Sequence, residues 1–222
     1  MKRLLCSSLL ALPLVASAQE TIDLGVLKDD DIVVVQKLLY PKTGRNEMRI
    51  HLGLMPFDPY TTTPIAALSY DGFLSETFGY EVALGGGYGL KNAAFKELEG
   101  PAYGVAPDAY RYLASLVADV QWSPIYAKMN LMGKGVLHHD LYLLGGAGVT
   151  FEQAMLPDHS LAVAPTLALG IGARIFLSET SALRVQLRDD MLIESRVKTS
   201  DTHFKQNAGV TVGYTLLSKV KK

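Results

Sequence analysis

Residues 166–188, TLALGIGARIFLSETSALRVQLR, separate into two faces when the stretch is read two residues at a time. On both sides of a short polar break at 177–180, one face is aliphatic and the other carries arginine, glutamine and small residues. The aliphatic face consists of Leu167, Leu169, Ile171, Ala173, Ile175, Leu183, Val185 and Leu187. The polar face includes Arg174, Arg184, Gln186 and Arg188. Alternation of period two around a tight polar break predicts an antiparallel β-hairpin.

The turn of this hairpin occurs twice in the chain. Residues 73–77 repeat residues 176–180 letter for letter, and the stretch 78–88 that follows alternates in the same register. A repeated hairpin unit indicates an up-and-down antiparallel sheet. In a soluble barrel of the lipocalin type the aliphatic face would point inward, whereas in an outer-membrane barrel it contacts lipid and the polar face encloses the lumen.

The N-terminus favours export. Two basic residues precede an apolar run at 4–15 and an A-x-A site at 16–18, which predicts a signal peptide over residues 1–18, cleaved after Ala18. A buried N-terminal helix is the alternative. Cys6 is the single cysteine, so the mature chain would have no disulfide. No later segment has the roughly 18 uninterrupted apolar residues of a membrane helix. An exported chain with this patterning is therefore expected in the outer membrane.

The whole pattern predicts an all-β, transmembrane, antiparallel up-and-down barrel of eight strands over residues 45–216. Residues 19–44 are expected to form a periplasmic lead-in, with a plug or a short extra strand as alternatives, and residues 217–222 a basic C-terminal tail. The expected strands cover 45–55, 64–72, 78–90, 109–121, 140–150, the hairpin of 166–188 extended to Glu194, and 206–216.

Residues 122–138 are the most ambiguous stretch. Positions 125–130 alternate like a strand, and 125–134 could form an additional one. A further full strand would put the two Leu-Ser-Glu-Thr turns on opposite sides of the membrane, whereas short turns belong on the periplasmic side. Residues 122–138 are therefore expected to form an extended periplasmic connection, with a short helix or ribbon as possible contents.

The predicted register places five acids and five arginines in the lumen. They are Glu47, Glu81, Asp119, Asp140 and Asp190, with Arg49, Arg111, Arg174, Arg184 and Arg188. An eight-stranded barrel is just filled by its side chains, and glycines in the strands would leave room for the large ones. Because each unpaired buried charge costs several kcal/mol, the balance predicts a structural ion-pair network that plugs the lumen. A charge-lined conduit is the alternative.

Aromatic residues are expected at both membrane interfaces. Tyr110 and Tyr112 begin the fourth predicted strand on its outward face, and Trp122 follows its other end. Aromatic girdles of membrane barrels lie at these two levels.

The last strand resembles the signal by which outer-membrane barrels are recognised by the barrel assembly machinery. The matching positions are Asn207, Gly209, Val212 and Tyr214, in a pattern of polar, glycine, apolar and aromatic residues. The chain departs from that pattern because eight residues, 215–222, follow the aromatic one.

Four further motifs resemble one family. They are Trp122-Ser123-Pro124-Ile125-Tyr126-x-Lys128, His139-Asp140-Leu141-Tyr142, Gly146-Ala147-Gly148 and Leu187-Arg188-Asp189. In this order they are similar to the outer-membrane β-barrel domain proteins of myxobacteria and related delta-proteobacteria, over roughly residues 33–214. The resemblance implies fold and location. It does not supply an activity, because most members have no assigned chemistry.

The candidate chemistry is sparse. His138 and His139 point to opposite faces of a regular strand and cannot share one metal ion, so neither a metal nor a cofactor is expected. Ser160 and Thr202 are each next to a histidine in the sequence. Neighbouring residues on a strand point to opposite faces, so these pairs are not expected to make the hydrogen bond that a catalytic pair needs. With a net charge of −1, nothing points to nucleic acid.

The expected function is therefore a non-enzymatic structural or adaptor role in the cell envelope. Its partners would be outer-membrane lipid, the assembly machinery and other envelope proteins, which would bind at 91–108 or 123–138. A narrow channel is the alternative, and a lipid-modifying enzyme is less favoured.

Overall fold

The computed structural model describes residues 39–130, 136–155, 159–195 and 202–219, so the predicted signal peptide and residues 19–38 of the lead-in lie outside it. Nine strands and one short helix form within these residues. They are β1 (Asn46–Met55), β2 (Thr61–Phe73), β3 (Phe78–Gly87), β4 (Leu90–Lys91), α1 (Ala93–Glu99), β5 (Tyr110–Asn130), β6 (Val136–Ala154), β7 (Leu161–Ser178), β8 (Ser181–Ser195) and β9 (Thr202–Leu217).

Eight of these strands close into a ring. Each strand pairs antiparallel with the next along the chain, except that β3 pairs with β5 and leaves β4 outside the ring. The ring closes where β1 pairs with β9, from Glu47 opposite Leu217 to Leu54 opposite Val210. The two-residue β4 pairs only with the start of β2. The predicted eight-stranded antiparallel barrel is confirmed.

The two ends of the barrel differ. One end, called here the turn end, carries the tight turns at 74–77 and 179–180 together with residues 39–45 and 218–219. The opposite end, the loop end, carries the connections at 56–60 and 88–109, and the second of these contains α1. Asn92 caps α1, its side chain accepting a hydrogen bond from the backbone N–H of Phe95 at 3.0 Å.

The aliphatic ladder points outward, as predicted. On β1, Met48, Ile50 and Leu52 are 64–65% exposed, whereas Glu47 and Arg49 on the opposite face are at most 2% exposed. The same alternation runs through β7 and β8. This orientation is opposite to that of a soluble barrel and typical of a barrel that contacts hydrocarbon.

No helix among the described residues is long and apolar enough to span a membrane.

The predicted ends of the fourth and fifth strands are wrong. The strand predicted to end at residue 121 runs on through a register shift between Trp122 and Ile125 and reaches Asn130. Its partner β6 begins at Val136 instead of 140, so 125–130 and 136–141 form a two-stranded ribbon at the turn end. Pro124 lies in the shift, where a residue without an N–H is tolerated. Residues 125–130 thus extend β5 and are not a separate strand.

Glycines make room for the large lumenal side chains. A Cβ atom on Gly213 would lie 2.9 Å from Cδ of Arg49, and one on Gly172 would collide with the ring of Tyr142. The interior is otherwise polar. Buried apolar clusters occur at its two ends, around Phe95 at the loop end and Phe176 at the turn end.

Candidate functional site

The lumen of the barrel is the candidate site, and Arg184 on β8 makes three ion pairs there. Its Nη1 atom is 2.9 Å from Oε1 of Glu47 and 2.9 Å from Oδ2 of Asp71, and its Nη2 atom is 2.9 Å from Oε2 of Glu81. Its Nε also donates a hydrogen bond to the hydroxyl of Tyr142 at 3.1 Å. One guanidinium group therefore joins β8 to β1, β2, β3 and β6 across the lumen.

Two further arginines extend these contacts. Arg49 on β1 places Nη2 at 2.6 Å from Oε1 of Glu81. Arg174 on β7 places Nε at 3.1 Å from Oε2 of Glu47 and Nη1 at 2.8 Å from Oδ2 of Asp140. The contacts of Arg49 with Glu81 and of Arg174 with Asp140 are charge-assisted hydrogen bonds, which are about twice as strong as neutral ones, whereas the contact of Arg174 with Glu47 is an ion pair without hydrogen-bond geometry. Each carboxylate of Glu47 and Glu81 is therefore shared between two arginines.

Residues 39–45 close the turn end of the lumen. Lys42 reaches inward, with Nζ at 2.5 Å from Oδ2 of Asp140. The Glu76 carboxylate in the β2–β3 turn accepts hydrogen bonds from the N–H of Lys42 at 2.9 Å and from the N–H and hydroxyl of Thr43 at 3.0 and 2.6 Å. Burial raises the pKa of Glu76, but these hydrogen bonds outweigh it, and the pKa lies below its ordinary value of 4.5.

Eight charged side chains make up what we call the lumenal network. The four acids are Glu47, Asp71, Glu81 and Asp140, and the four bases are Lys42, Arg49, Arg174 and Arg184. Every one of them is at most 2% exposed. Equal numbers of acids and bases within hydrogen-bonding distance avoid the cost of an unpaired buried charge. The network thus fills the turn-end part of the lumen with side chains.

A second group of charges lies nearer the loop end. Arg188 places Nη1 at 2.8 Å from Oδ2 of Asp119 and Nε at 2.7 Å from Oδ1 of Asp190. Beside it is a cavity of about 40 Å³, to whose lining His51 and Tyr112 contribute. A space of this volume holds one or two water molecules.

Nine of the ten charges predicted in the lumen lie there, and Arg111 does not. A register shift between Tyr112 and Ala114 leaves Leu113 without a partner, and one extra residue exchanges the two faces of a strand. Tyr110 and Tyr112 are each only 3% exposed, and Tyr112 hydrogen-bonds Ser115 in the interior at 2.8 Å. Arg111 stacks instead on the ring of Tyr88 at 4.8 Å. The predictions that Tyr110 and Tyr112 face outward and that Arg111 faces the lumen are therefore wrong.

Trp122 lies on the outer surface near the turn end, where it was predicted. It stacks on Phe78 with 6.5 Å between ring centroids. Other exposed aromatic side chains near this end are Tyr70, Tyr80 and Tyr214. Near the loop end the exposed aromatic side chains are Phe57, Tyr88, Phe151 and Phe204. Aromatic residues thus surround both ends of the aliphatic band, but at the loop end they are not the tyrosines that the sequence indicated.

The residues of the predicted assembly signal divide between the two faces of β9. Asn207 and Gly209 are buried, and Val212 and Tyr214 are exposed on the outer surface. Their recognition by the assembly machinery stays a prediction.

The two adjacent histidines follow the alternation of β6. His138 is buried, and its ring packs edge-on against Tyr40 with 5.1 Å between centroids. His139, the next residue on the strand, points to the opposite face. No group of three histidine, cysteine, aspartate or glutamate side chains in the described parts of the chain is arranged to hold a metal ion.

The sequence interpretation missed two members of the lumenal network. Asp71 lies directly opposite Glu81 in the β2–β3 pair. The alternation of polar Ser69, aromatic Tyr70 and polar Asp71 could have indicated that Asp71 faces the lumen. Lys42 lies before β1, where no periodicity assigns a side chain to a face. Its position depends on how residues 39–45 fold across the turn end.

An inward charged face, an outward aliphatic face and aromatic residues at both ends occur together in one type of barrel. The fold is that of an outer-membrane β-barrel. Similar solved structures include the N-terminal β-barrel domain of Pseudomonas aeruginosa OprF, which is 12% identical with a TM-score of 0.46, over 78% of this chain and 98% of that chain. Ail of Yersinia pestis is 11% identical with a TM-score of 0.42, over 79% and 99% of the two chains.

No protein-family model and no curated protein matches the chain. Membership of the myxobacterial family therefore stays a prediction. The likeness to OprF and Ail concerns the fold alone, and the functional argument depends on the residues of this chain.

Proposed function

We propose that this protein is a non-enzymatic outer-membrane barrel with a structural or adaptor role in the cell envelope, and that its lumen is plugged by the lumenal network. The observation that carries the proposal is the burial of four acids and four bases across the barrel. A lumen filled by mutually paired charges leaves no continuous water path, and water is what an ion channel requires.

The location follows from the outer surface. The aliphatic band matches the hydrocarbon layer of a bilayer, and the aromatic residues at its two ends match the headgroup levels. Since short turns of such barrels lie on the periplasmic side, the turn end is assigned to the periplasm and the loop end to the exterior. Outer-membrane lipid is then the first partner of the protein, and the assembly machinery would insert it.

Two segments outside the aliphatic band are suited to binding other envelope proteins. In the loop-end connection the side chains of Tyr103 and Val105 are exposed. In the turn-end ribbon those of Ile125, Met129 and Val136 are exposed. Exposed apolar groups that project beyond the band support contacts with protein, because they gain little from contact with water.

Conductance across planar lipid bilayers tests the plugged lumen. The purified protein is expected to give no steady conductance, whereas a variant with Glu47→Gln and Arg184→Gln, which keeps the net charge, is expected to show intermittent openings. The substitutions remove ion pairs that join several strands, and glutamine at position 184 is also smaller than arginine, which leaves space in the lumen. Steady currents of porin size from the unmodified protein would contradict the plugged lumen and favour the conduit.

Photo-crosslinking in living cells tests the adaptor role. A photoreactive residue at Met129 or Val136 is expected to form discrete protein adducts, because the ribbon projects from the membrane. The matched control is Ile171, which lies on the lipid-facing side and should form none of these adducts. The adaptor role is wrong for the ribbon if positions 129 and 136 behave like position 171.

A further inference from the structure

A single acidic side chain interrupts the aliphatic band on the outer surface. The outward positions of β8 are occupied, in order, by Leu183, Val185, Leu187, Asp189, Met191 and Ile193. Asp189 lies opposite Leu169 of β7, which is 52% exposed, and opposite Ala208 of β9, so its side chain shares their outward face. Among the outward positions between the aromatic residues of the two ends, it is the one charged residue in the described part of the barrel.

Asp189 lies deep in this band. Leu183 pairs with Tyr214, one of the exposed aromatic residues near the turn end. Ile193 pairs with Phe204, one of those near the loop end. Asp189 is six residues from the first of these levels and four from the second. At a rise of about 3.4 Å per residue, even the nearer level is about 14 Å away along the strand, so the carboxyl group lies within the hydrocarbon layer.

The Asp189 carboxyl group lacks a partner on one of its oxygen atoms. Its Oδ1 atom is buried and accepts no hydrogen bond from the described residues. The next residue, Asp190, points into the lumen and binds Arg188 there. A polar group in hydrocarbon is costly unless a donor reaches it. An ionisable residue inside the membrane layer therefore indicates a binding partner.

A hydrogen-bond donor lies beside Asp189 on the same surface. Gln206 of β9 is opposite Met191, which makes it the diagonal neighbour of Asp189 across the strand pair. Its side chain is exposed on the outer face, and it does not donate to Oδ1 of Asp189. An amide NH₂ group donates hydrogen bonds and a carboxyl oxygen accepts them. An acceptor and a donor are thus neighbours on an otherwise apolar surface.

The barrel wall has a gap beside this surface. β9 pairs with β8 as far as Thr202 but with β1 only as far as Val210. Residues 202–208 therefore have no described strand along their second edge. On that side Gln206 adjoins the loop 56–60 across a cavity of about 270 Å³. Its side chain is thus not enclosed between two strands of the wall and is free to reach a partner.

A neighbouring acceptor and donor are complementary to a second copy of the same surface. About a two-fold axis normal to the membrane, Asp189 of one copy faces Gln206 of the other, and the contact occurs twice. Contacts within a bilayer are stabilised by hydrogen bonds between polar side chains and by small residues that allow close approach. Ala208, directly opposite Asp189, is such a small residue.

We propose that two copies of this barrel associate in the membrane through the outer faces of β8 and β9. The Asp189 carboxyl group of each copy accepts a hydrogen bond from the Gln206 amide of the other, and the two Ala208 residues let the strands approach. β7 is on the other side of Asp189, so Leu169 and Ile171 stay in contact with lipid. The inference goes beyond the proposed function, since the plugged lumen does not depend on the number of copies.

Disulfide cross-linking in lipid bilayers tests the contact. A cysteine can be introduced singly, since the sequence after residue 6 contains none. Ala208→Cys is expected to give a disulfide-linked dimer on oxidation, because the two copies of this residue lie near the axis. Ala118→Cys, at an exposed outward position of β5, is the matched control and should stay monomeric at the same ratio of protein to lipid.

Energy transfer between copies that carry donor and acceptor dyes measures the affinity. Asp189→Leu is expected to weaken the association at least about tenfold, since it removes both hydrogen bonds between the copies. Asp189→Asn keeps an acceptor oxygen and should retain most of the affinity. Because position 189 faces lipid, leucine is expected to leave folding intact, and the resistance of the folded barrel to unfolding in SDS checks this.

Two results would overturn the inference. In the first, the unmodified protein stays monomeric at every ratio of protein to lipid, and a lipid or a different membrane protein then covers Asp189. In the second, folded Asp189→Leu associates as strongly as the unmodified protein, and the contact between copies then lies elsewhere on the barrel.

Discussion

Arg184 shows why single residues matter in this interior. Its guanidinium group contacts three carboxylates from three strands, and its Cζ atom lies 4.4 Å from the centre of the Tyr142 ring. In an apolar core the loss of one side chain removes contacts and leaves a cavity. In this lumen the same loss also leaves like charges side by side without their counter-ion, which costs more.

Replacing Arg184 by methionine is therefore expected to destabilise the barrel by about 3–5 kcal/mol, the usual cost of breaking a buried ion pair. The free energy of unfolding in urea, measured in lipid or detergent, gives this value. Glu99→Gln is the control, because the Lys91–Glu99 pair is exposed, and its effect should stay within about 1 kcal/mol. Equal stability of the two variants would show that the lumenal network does not hold the barrel together.

Residues in uninterrupted alternation could be predicted from the sequence. Arg174 and Arg184 were assigned to the lumen because the leucines, isoleucines and valines between them mark the other face. Lys42 could not be assigned, since it precedes the first strand. Tyr112 and Arg111 were assigned to the wrong faces because a single bulged residue, Leu113, reverses the alternation. The one sequence signal of this break is that Leu113 is an apolar residue on the otherwise polar face of the predicted strand.

Among the elements, the two identical Leu-Ser-Glu-Thr turns take different roles at the turn end. Glu76 in the first turn binds the backbone of residues 42–43 with its carboxylate. Glu179 in the second turn offers its backbone carbonyl to Arg45, which also donates to the carbonyl of Ser218 at 2.6 Å. The same turn sequence therefore binds residues 42–45 through a side chain in one case and through a backbone carbonyl in the other. The difference is set by residues that lie far away in the chain.

The stability of the folded protein is expected to depend on pH through Glu76 in the first turn. Because the pKa of Glu76 is lowered in the folded protein, its stabilising contribution is present above the ordinary value of 4.5 and is lost as the pH falls through the lowered value. Glu76→Gln should therefore lower the melting temperature at neutral pH, and the difference from the unmodified protein should shrink well below pH 4.5. Thermal unfolding at both pH values measures it. A difference in melting temperature of equal size at both pH values would refute the role of Glu76.

For the whole molecule, the barrel was predictable because lipid on one side and a polar lumen on the other impose alternation on every strand. The number of strands followed from that alternation and from the need to keep both short turns at one end. The closure of the turn end by residues 39–45 and the gap beside β9 were not predictable. The closure depends on the contacts of Lys42 with Asp140 and Glu76, which lie far away in the sequence. The gap, where residues 202–208 extend past the end of β1 at Met55, depends on the lengths of neighbouring strands, which the sequence pattern of one strand does not contain.

The orientation of the two faces is the central claim, and nitroxide accessibility in lipid bilayers tests it most directly. Cys6 is the single cysteine and lies in the predicted signal peptide, so engineered cysteines can be labelled one at a time. Labels at Leu169 and Ile171 are expected to be relaxed strongly by oxygen, which concentrates in hydrocarbon, and weakly by a water-soluble nickel complex. A label at Thr211, which faces the lumen, should lack the oxygen response. Shielded labels at 169 and 171, or labels there that respond to the nickel complex, would contradict a membrane-spanning barrel.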